Sequence, residues 1–208
     1  MRLPVKTATI TWLLLTASLA SAGTITLNFE NLTDGTILTN QYSGLQFTNT
    51  AIWTAGLTLN EINFPPHSGT NVAADATGPI TILFSTPVLN ISAYFTYSSA
   101  LTLNAFDALH QSVGTTTSAF AANFVSSGNP ANELLQLAFA GGISSVTITG
   151  SARGSSFVLD DLTLTTPGTT GTVTPEPSFV LLVPLMVLLL ALTGRANRTP
   201  NHLPEHRA

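Results

Sequence analysis

The sequence predicts an all-β fold, an antiparallel β-sandwich of jelly-roll type, flanked by an N-terminal signal helix and a C-terminal hydrophobic helix. Three observations lead there. Apolar residues recur at every second position in many short runs. Those runs are rich in Thr, Val, Ile and Phe, which fit a half-buried pleated surface. Turn residues separate the runs, and no segment with amphipathic helical spacing competes with them.

Taken in order, TITLNF puts Ile25, Leu27 and Phe29 on one face, and PITILF does the same with Ile80, Ile82 and Phe84. NISAYFTY aligns Ile91, Ala93, Phe95 and Tyr97, ALTLNA aligns Leu101, Leu103 and Ala105, and ELLQLAFA aligns Leu135, Leu137 and Phe139. ISSVTITG and SFVLDDLTLT supply two more β-rich runs. Asp34-Gly35, Pro65-Pro66, Ser68-Gly69, Gly78-Pro79, Gly128-Asn129-Pro130 and Gly141-Gly142 read as the intervening turns. In the last run Phe157 and Leu159 share a face, but Leu162 and Leu164 lie an odd number of residues away. Either a β-bulge at Asp160-Asp161 reverses the inward side, or one strand ends at Leu159 and another begins.

Hydrophobic residues make up 44% of the chain and charged residues 8%, unevenly distributed. The start carries Arg2 and Lys6, an apolar stretch from Ala8 to Ala20, and the small residues Ala20-Ser21-Ala22. That order is the signature of a secretory signal cleaved after Ala22. It divides the chain into a signal peptide (1–22), a β-sandwich domain (23–165), a Thr/Gly/Pro linker (166–174), a C-terminal segment with a hydrophobic helix (175–198) and a polar tail (199–208). There are no cysteines, so disulfides, thiol chemistry and Cys-ligated zinc are excluded. Between residues 23 and 174 stand eight acids and one base, Arg153, a formal charge of −7. Nucleic acid is therefore not an expected partner, since phosphate binding needs Lys and Arg.

The C-terminal stretch TPEPSFVLLVPLMVLLLALTGRANR carries the address. Its apolar run, 179–193, spans about 22 Å as a helix, shorter than a bilayer core of about 30 Å, and Pro184 interrupts it. Arg195 and Arg198 follow, on the side that stays cytoplasmic. Pro175, Glu176 and Pro177, then the short apolar run, then Arg195 and Arg198, behind an N-terminal signal, resemble a PEP-CTERM sorting segment. The resemblance implies an exported protein of a Gram-negative bacterium, inserted transiently in the inner membrane. An exosortase-type membrane transpeptidase would then process it for the cell surface or an exopolysaccharide matrix. A permanent single-span anchor is the competing reading of the same run.

The body resembles the β-rich ectodomains of PEP-CTERM proteins, with FENLTDG near the start and SFVLDDLTL near the end. Jelly-roll carbohydrate-binding modules show a similar bracket, and there it implies a structural calcium. The candidate ligands here are Glu30, Asn31, Asp160 and Asp161, with backbone oxygens from Ser68 and Gly69; the competing reading is solvated loop and edge charges. Trp53 and Tyr94 are the candidate carbohydrate platforms, while Tyr97 falls in phase with the core. His67, in the PPHSGTN loop, reads as a solvated turn histidine. No G-x-S-x-G, H-E-x-x-H or phosphate loop is present, and adjacent Asp160 and Asp161 are expected on opposite faces of a strand, a poor acid/base pair. The expected function is non-enzymatic: structure or adhesion in a polysaccharide matrix, with carbohydrate binding as the alternative and glycoside hydrolysis behind it.

Overall fold

A computed structural model of the chain describes residues 22–168. Ten strands form: β1 (Gly23–Leu27), β2 (Ile37–Leu38), β3 (Leu45–Thr48), β4 (Thr50–Thr54), β5 (Asn71–Asp75), β6 (Ile80–Tyr97), β7 (Thr102–Phe106), β8 (Ser112–Thr117), β9 (Glu133–Thr149) and β10 (Phe157–Thr166). All the strand pairings are antiparallel. One 3-10 turn, Val125–Ser127, is the only helical element among the described residues. The signal segment and everything from the linker's Thr169 onward lie outside the described residues, and with them Ala20, Pro175, Glu176, Pro177, Arg195 and Arg198. Among the described residues no helix is long and apolar enough to cross a membrane.

The two long strands organise the fold. PITILF and NISAYFTY, read as separate strands, are halves of one 18-residue strand, β6. ELLQLAFA and ISSVTITG are likewise halves of the 17-residue β9, and Gly141-Gly142 is a bend inside it and not a turn between strands. The first half of β6 pairs with β3 and with the last part of β9, which in turn pairs with β7. The second half of β6 pairs with β10 and with the first part of β9. One layer is therefore β3–β6–β9–β7–β8. The other is β2–β4–β5–β10–β6–β9, with β1 also on β10. With no helix among the described residues to cover an apolar sheet face, the sheet covers itself.

Sharing strands between layers requires the inward side to reverse. In β6 the buried residues are Ile80, Ile82 and Phe84, then Ile91, Ala93, Phe95 and Tyr97, and the register shifts between the two sets. In β9 the buried side chains are Leu135, Leu137 and Ile143, then Val146 and Ile148, with Ser145 also buried. Gly142, at φ 92°, makes the bend possible, because a Cβ there would stand 2.9 Å from Cβ of Pro87 on the facing strand. Pro87 itself sits where the ladder is broken, a position that tolerates a missing N–H. Side chains from both layers join in one apolar cluster, including Phe47, Ile82, Val146, Phe95, Leu135 and Leu159.

β5 has no alternation to read. All five of its residues are buried, because Val72 and Ala74 face a second small cluster with Leu59 and Val158 on the side away from the main core. Its last residue, Asp75, is fully buried and accepts hydrogen bonds from Ser156 N (2.8 Å), Ser156 Oγ (2.7 Å) and Phe157 N (2.9 Å), which fixes where β10 begins. Removing it leaves three buried donors without an acceptor. Asp75→Ala is expected to destabilise the fold by more than about 2 kcal/mol, measured as a drop in the urea midpoint with the slope retained.

Candidate functional site

The predicted acids meet around one loop, residues 65–71. The chain leaves β1 through Phe29, which is fully buried at φ 62°. A bulky residue in the left-handed region is a strained choice. It is held by the Asn71 side chain, whose Nδ2 donates to the carbonyls of Phe29 (3.0 Å) and Leu32 (2.7 Å). That turn sends Glu30 to the loop, where Oε1 accepts from the backbone N–H groups of Thr70 (2.9 Å) and Asn71 (2.7 Å) and Oε2 from Thr70 Oγ1 (3.1 Å).

The other side of the loop is held from β10. Asp160 pairs with Tyr94 and Thr163 with Ser92, three residues on β10 against two on β6, so the bulge is present. Asp161, at φ 48°, is the residue that turns it; aspartate tolerates this region. The expectation that Asp160 and Asp161 point to opposite faces fails for that reason: the bulge breaks the alternation and both reach Ser68. Asp160 Oδ2 accepts from Ser68 N (2.7 Å), and Asp161 Oδ1 accepts from Ser68 Oγ (2.9 Å). Asp160 Oδ1 accepts from Asp161 N (2.7 Å), which stabilises the bulge itself.

His67, read from sequence as a solvated loop residue, is part of this assembly. Its Nδ1 lies 2.7 Å from Asp161 Oδ2, and its ring stacks on Tyr94 with centroids 3.4 Å apart and planes 6° from parallel. Tyr94 does stand on the face opposite the core, but His67 covers its ring. Trp53 is not an open platform either; it is half-buried and packs on the Leu59, Val72, Ala74 and Val158 cluster. The pairing of His67 with Tyr94 has no signal in the sequence, because the two lie on separate elements and neither belongs to a motif.

As a metal site the donor set does not fit on side chains alone. Asn31 is turned away, its Oδ1 accepting from Tyr42 OH (2.7 Å). The carboxylates are engaged with N–H and O–H donors, and among the described residues no three His, Asp or Glu side chains gather as a metal-holding group. The arrangement is a clamp: Glu30 grips Thr70 and Asn71, the aspartates grip Ser68, and Gly69 passes between. Gly69, at φ 55°, is required there, because a Cβ would collide with the Glu30 carboxylate.

No family model matches the chain, and no curated protein matches it. Among solved structures it is similar to the K2 cleaved adhesin domain of Lys-gingipain, at 11% identity and a TM-score of 0.47, over 68% of this chain and 99% of that one. It is also similar to a mutant of CBM29-2, a family 29 carbohydrate-binding module, at 10% identity and a TM-score of 0.39, over 75% of this chain and 99% of that one. A third is the family 11 carbohydrate-binding module of a cellulosomal cellulase of Clostridium thermocellum, at 11% identity and a TM-score of 0.32, over 69% and 95%. Likeness this distant concerns the run of strands and says nothing of function.

Two measurements check the clamp. Gly69→Ala is expected to cost more than about 2 kcal/mol, from backbone strain and the collision with Glu30. Part of that cost is expected to disappear in a Glu30→Ala background, so the double-mutant cycle gives a non-zero coupling. Burial pushes the Asp160 carboxyl up to about 6 from its ordinary 3.8, against the hydrogen bonds from Ser68 and Asp161 that favour the anion. Between those two values the folded state keeps a proton that the unfolded chain has lost. Asp160 therefore stabilises the fold most at low pH, and up to about 3 kcal/mol is lost as pH rises through about 6. Thermal unfolding at about pH 5 and about pH 8 is expected to show roughly half of this loss, about 1.5 kcal/mol, in the native protein, the rest falling below pH 5, and a flatter response in Asp160→Asn.

Proposed function

We propose that the protein is an exported, non-catalytic sandwich of jelly-roll type, displayed at the cell surface or in an exopolysaccharide matrix, where its role is structural or adhesive. The sorting segment 175–198, read by an exosortase-type membrane transpeptidase, delivers it. The observation that carries this reading is the pairing of the first strand with the last. Gly23 stands opposite Thr166, so the two ends of the described domain lie side by side.

The clamp supports the non-catalytic part. Ser68 Oγ is bonded to Asp161 and not to His67, so the histidine is not placed to take a proton from the serine. The two adjacent aspartates are both engaged on Ser68, Asp160 through the serine's backbone N–H and Asp161 through its hydroxyl. Holding a polysaccharide belongs to the same reading, because a matrix protein has to be retained by the matrix.

Mass spectrometry of the mature C-terminus, on protein recovered from the surface or matrix fraction, tests the delivery. The expected terminus lies upstream of Arg195. Recovery of the peptide that contains Arg195 and Arg198 from that fraction overturns sorting by cleavage and leaves the permanent anchor. Glu176→Ala is expected to shift the protein into the inner-membrane fraction.

A further inference from the structure

We infer that the outer face of the β3–β6–β9–β7–β8 layer is a binding surface for a neutral polysaccharide, laid across the strands. The inference rests on the reading of a matrix-displayed domain and adds to it the surface and the ligand class.

The strand register defines the face. Thr48 pairs with Thr81, Thr81 with Thr147, Thr147 with Asn104 and Asn104 with Thr115, so these five side chains form a row across five strands. At about 4.8 Å between strands the row is about 19 Å long. Their neighbours along each strand, Phe47, Ile82, Val146 and Ala105, are buried, which sends the row outward. The next outward row places Leu83 beside Ser145, and Ser145 beside Phe106. Leu83 is 40% exposed and Phe106 half-buried, with the buried Ser145 between them, so two apolar side chains flank the hydroxyl row.

Three properties select the ligand. First, the strand segments of this layer contain no ionisable residue, in a domain that carries eight acids and one base. A polyanion gains nothing from such a face and is repelled by the rest of the domain, whereas a neutral chain is not. Second, each threonine offers a hydroxyl next to a methyl, which suits a pyranose edge with its alternating hydroxyl and C–H groups; Phe106 and Leu83 extend the apolar part. Third, Asn104 is oriented. Its Oδ1 accepts from Ser112 Oγ (2.6 Å) and from Thr115 Oγ1 (3.0 Å), and its Nδ2 has no partner among the described residues, so a donor is presented on β7, one strand in from the β8 edge. The neighbouring row members are also linked, Thr81 Oγ1 to Thr147 Oγ1 at 3.3 Å, which limits the side-chain freedom lost when a ligand docks.

Native affinity electrophoresis of the full-length protein tests this, in gels containing mixed-linkage β-glucan, galactomannan or dextran, with alginate as the polyanion. Retardation by at least one neutral polysaccharide and none by alginate is expected. Asn104→Ala combined with Thr147→Val is expected to weaken that retardation at least about tenfold. Tyr94→Ala, on the other layer, is expected to leave it unchanged. Superimposable thermal unfolding of each variant and the native protein shows that the fold is kept; Thr147→Val alone, isosteric and β-favouring, gives the readout if the double variant is unstable. No retardation by any neutral polysaccharide, equal retardation of the face variants, or loss with Tyr94→Ala alone overturns the assignment. The mature C-terminus is read separately: cleavage upstream of Arg195 without polysaccharide binding leaves the display reading intact and removes this surface.

Discussion

The structure depends on one constraint: a sheet without helices has to supply its own cover. Strands β6 and β9 meet it by running through both layers, and a strand that changes layers has to change which side faces in. A strict period of two cannot do that. β6 and β9 do so where their shared ladder shifts on either side of the Val88–Ile143 pair, with the left-handed Gly142 beside it. β10 stays in one layer and reverses its inward set at its own bulge, where the left-handed Asp161 stands between the pairs Asp160–Tyr94 and Thr163–Ser92.

The breaks also decide where polar groups are tolerated inside. Asp160 is fully buried because the bulge turns it to the backbone of Ser68 and Asp161, and Asp75 is fully buried because the start of β10 supplies three donors. Among the described residues no buried side-chain polar atom is left without a partner. With no disulfide available, the loop at 65–71 is retained by carboxylates accepting N–H and O–H bonds from both sides. Burial nonetheless raises both aspartates above their ordinary range, so the clamp holds the anion at a cost that the hydrogen bonds only partly offset.

Much of this was legible in the sequence, and the misses share a physical cause. Alternation located β7 and both halves of β6 and of β9, which largely keep one wet face; it also located β1, although Ile25 is 53% exposed there, and β10, although its first four residues are buried on both sides. It missed β5, where NVAAD is buried on both sides, and β2, β3, β4 and β8, and it read β6 and β9 as separate runs on either side of residues 85–89 and of Gly141-Gly142. The parity change at Asp160-Asp161 was visible as a choice between a bulge and a strand end, but its consequence was not: rules for regular strands sent the two aspartates apart. The approach of Glu30, Asp160 and Asp161 to the PPHSGTN loop was anticipated, while the donors they meet there were not. Backbone N–H groups leave no trace in composition, so the same acids read equally well as metal ligands. Tyr94 was placed on the correct face, and only the fold shows that His67 lies over it.

The distribution of charge follows from the same architecture. The acids of the described domain stand in turns, in the β1–β2 connection, and in the layer that carries the clamp, and none lies within the strand segments of the other layer. Carboxylates that hold a bulge and a loop have to stand where the ladder is broken, since only there does a strand offer N–H groups unused by a neighbour. The β3–β6–β9–β7–β8 layer keeps an unbroken register across Thr48, Thr81, Thr147, Asn104 and Thr115, and these outward positions carry residues that suit an exposed sheet. Threonine is the common solution, being β-branched on the sheet side and hydrogen-bonding at the tip. The outward face of this layer is thereby uncharged and hydroxyl-rich.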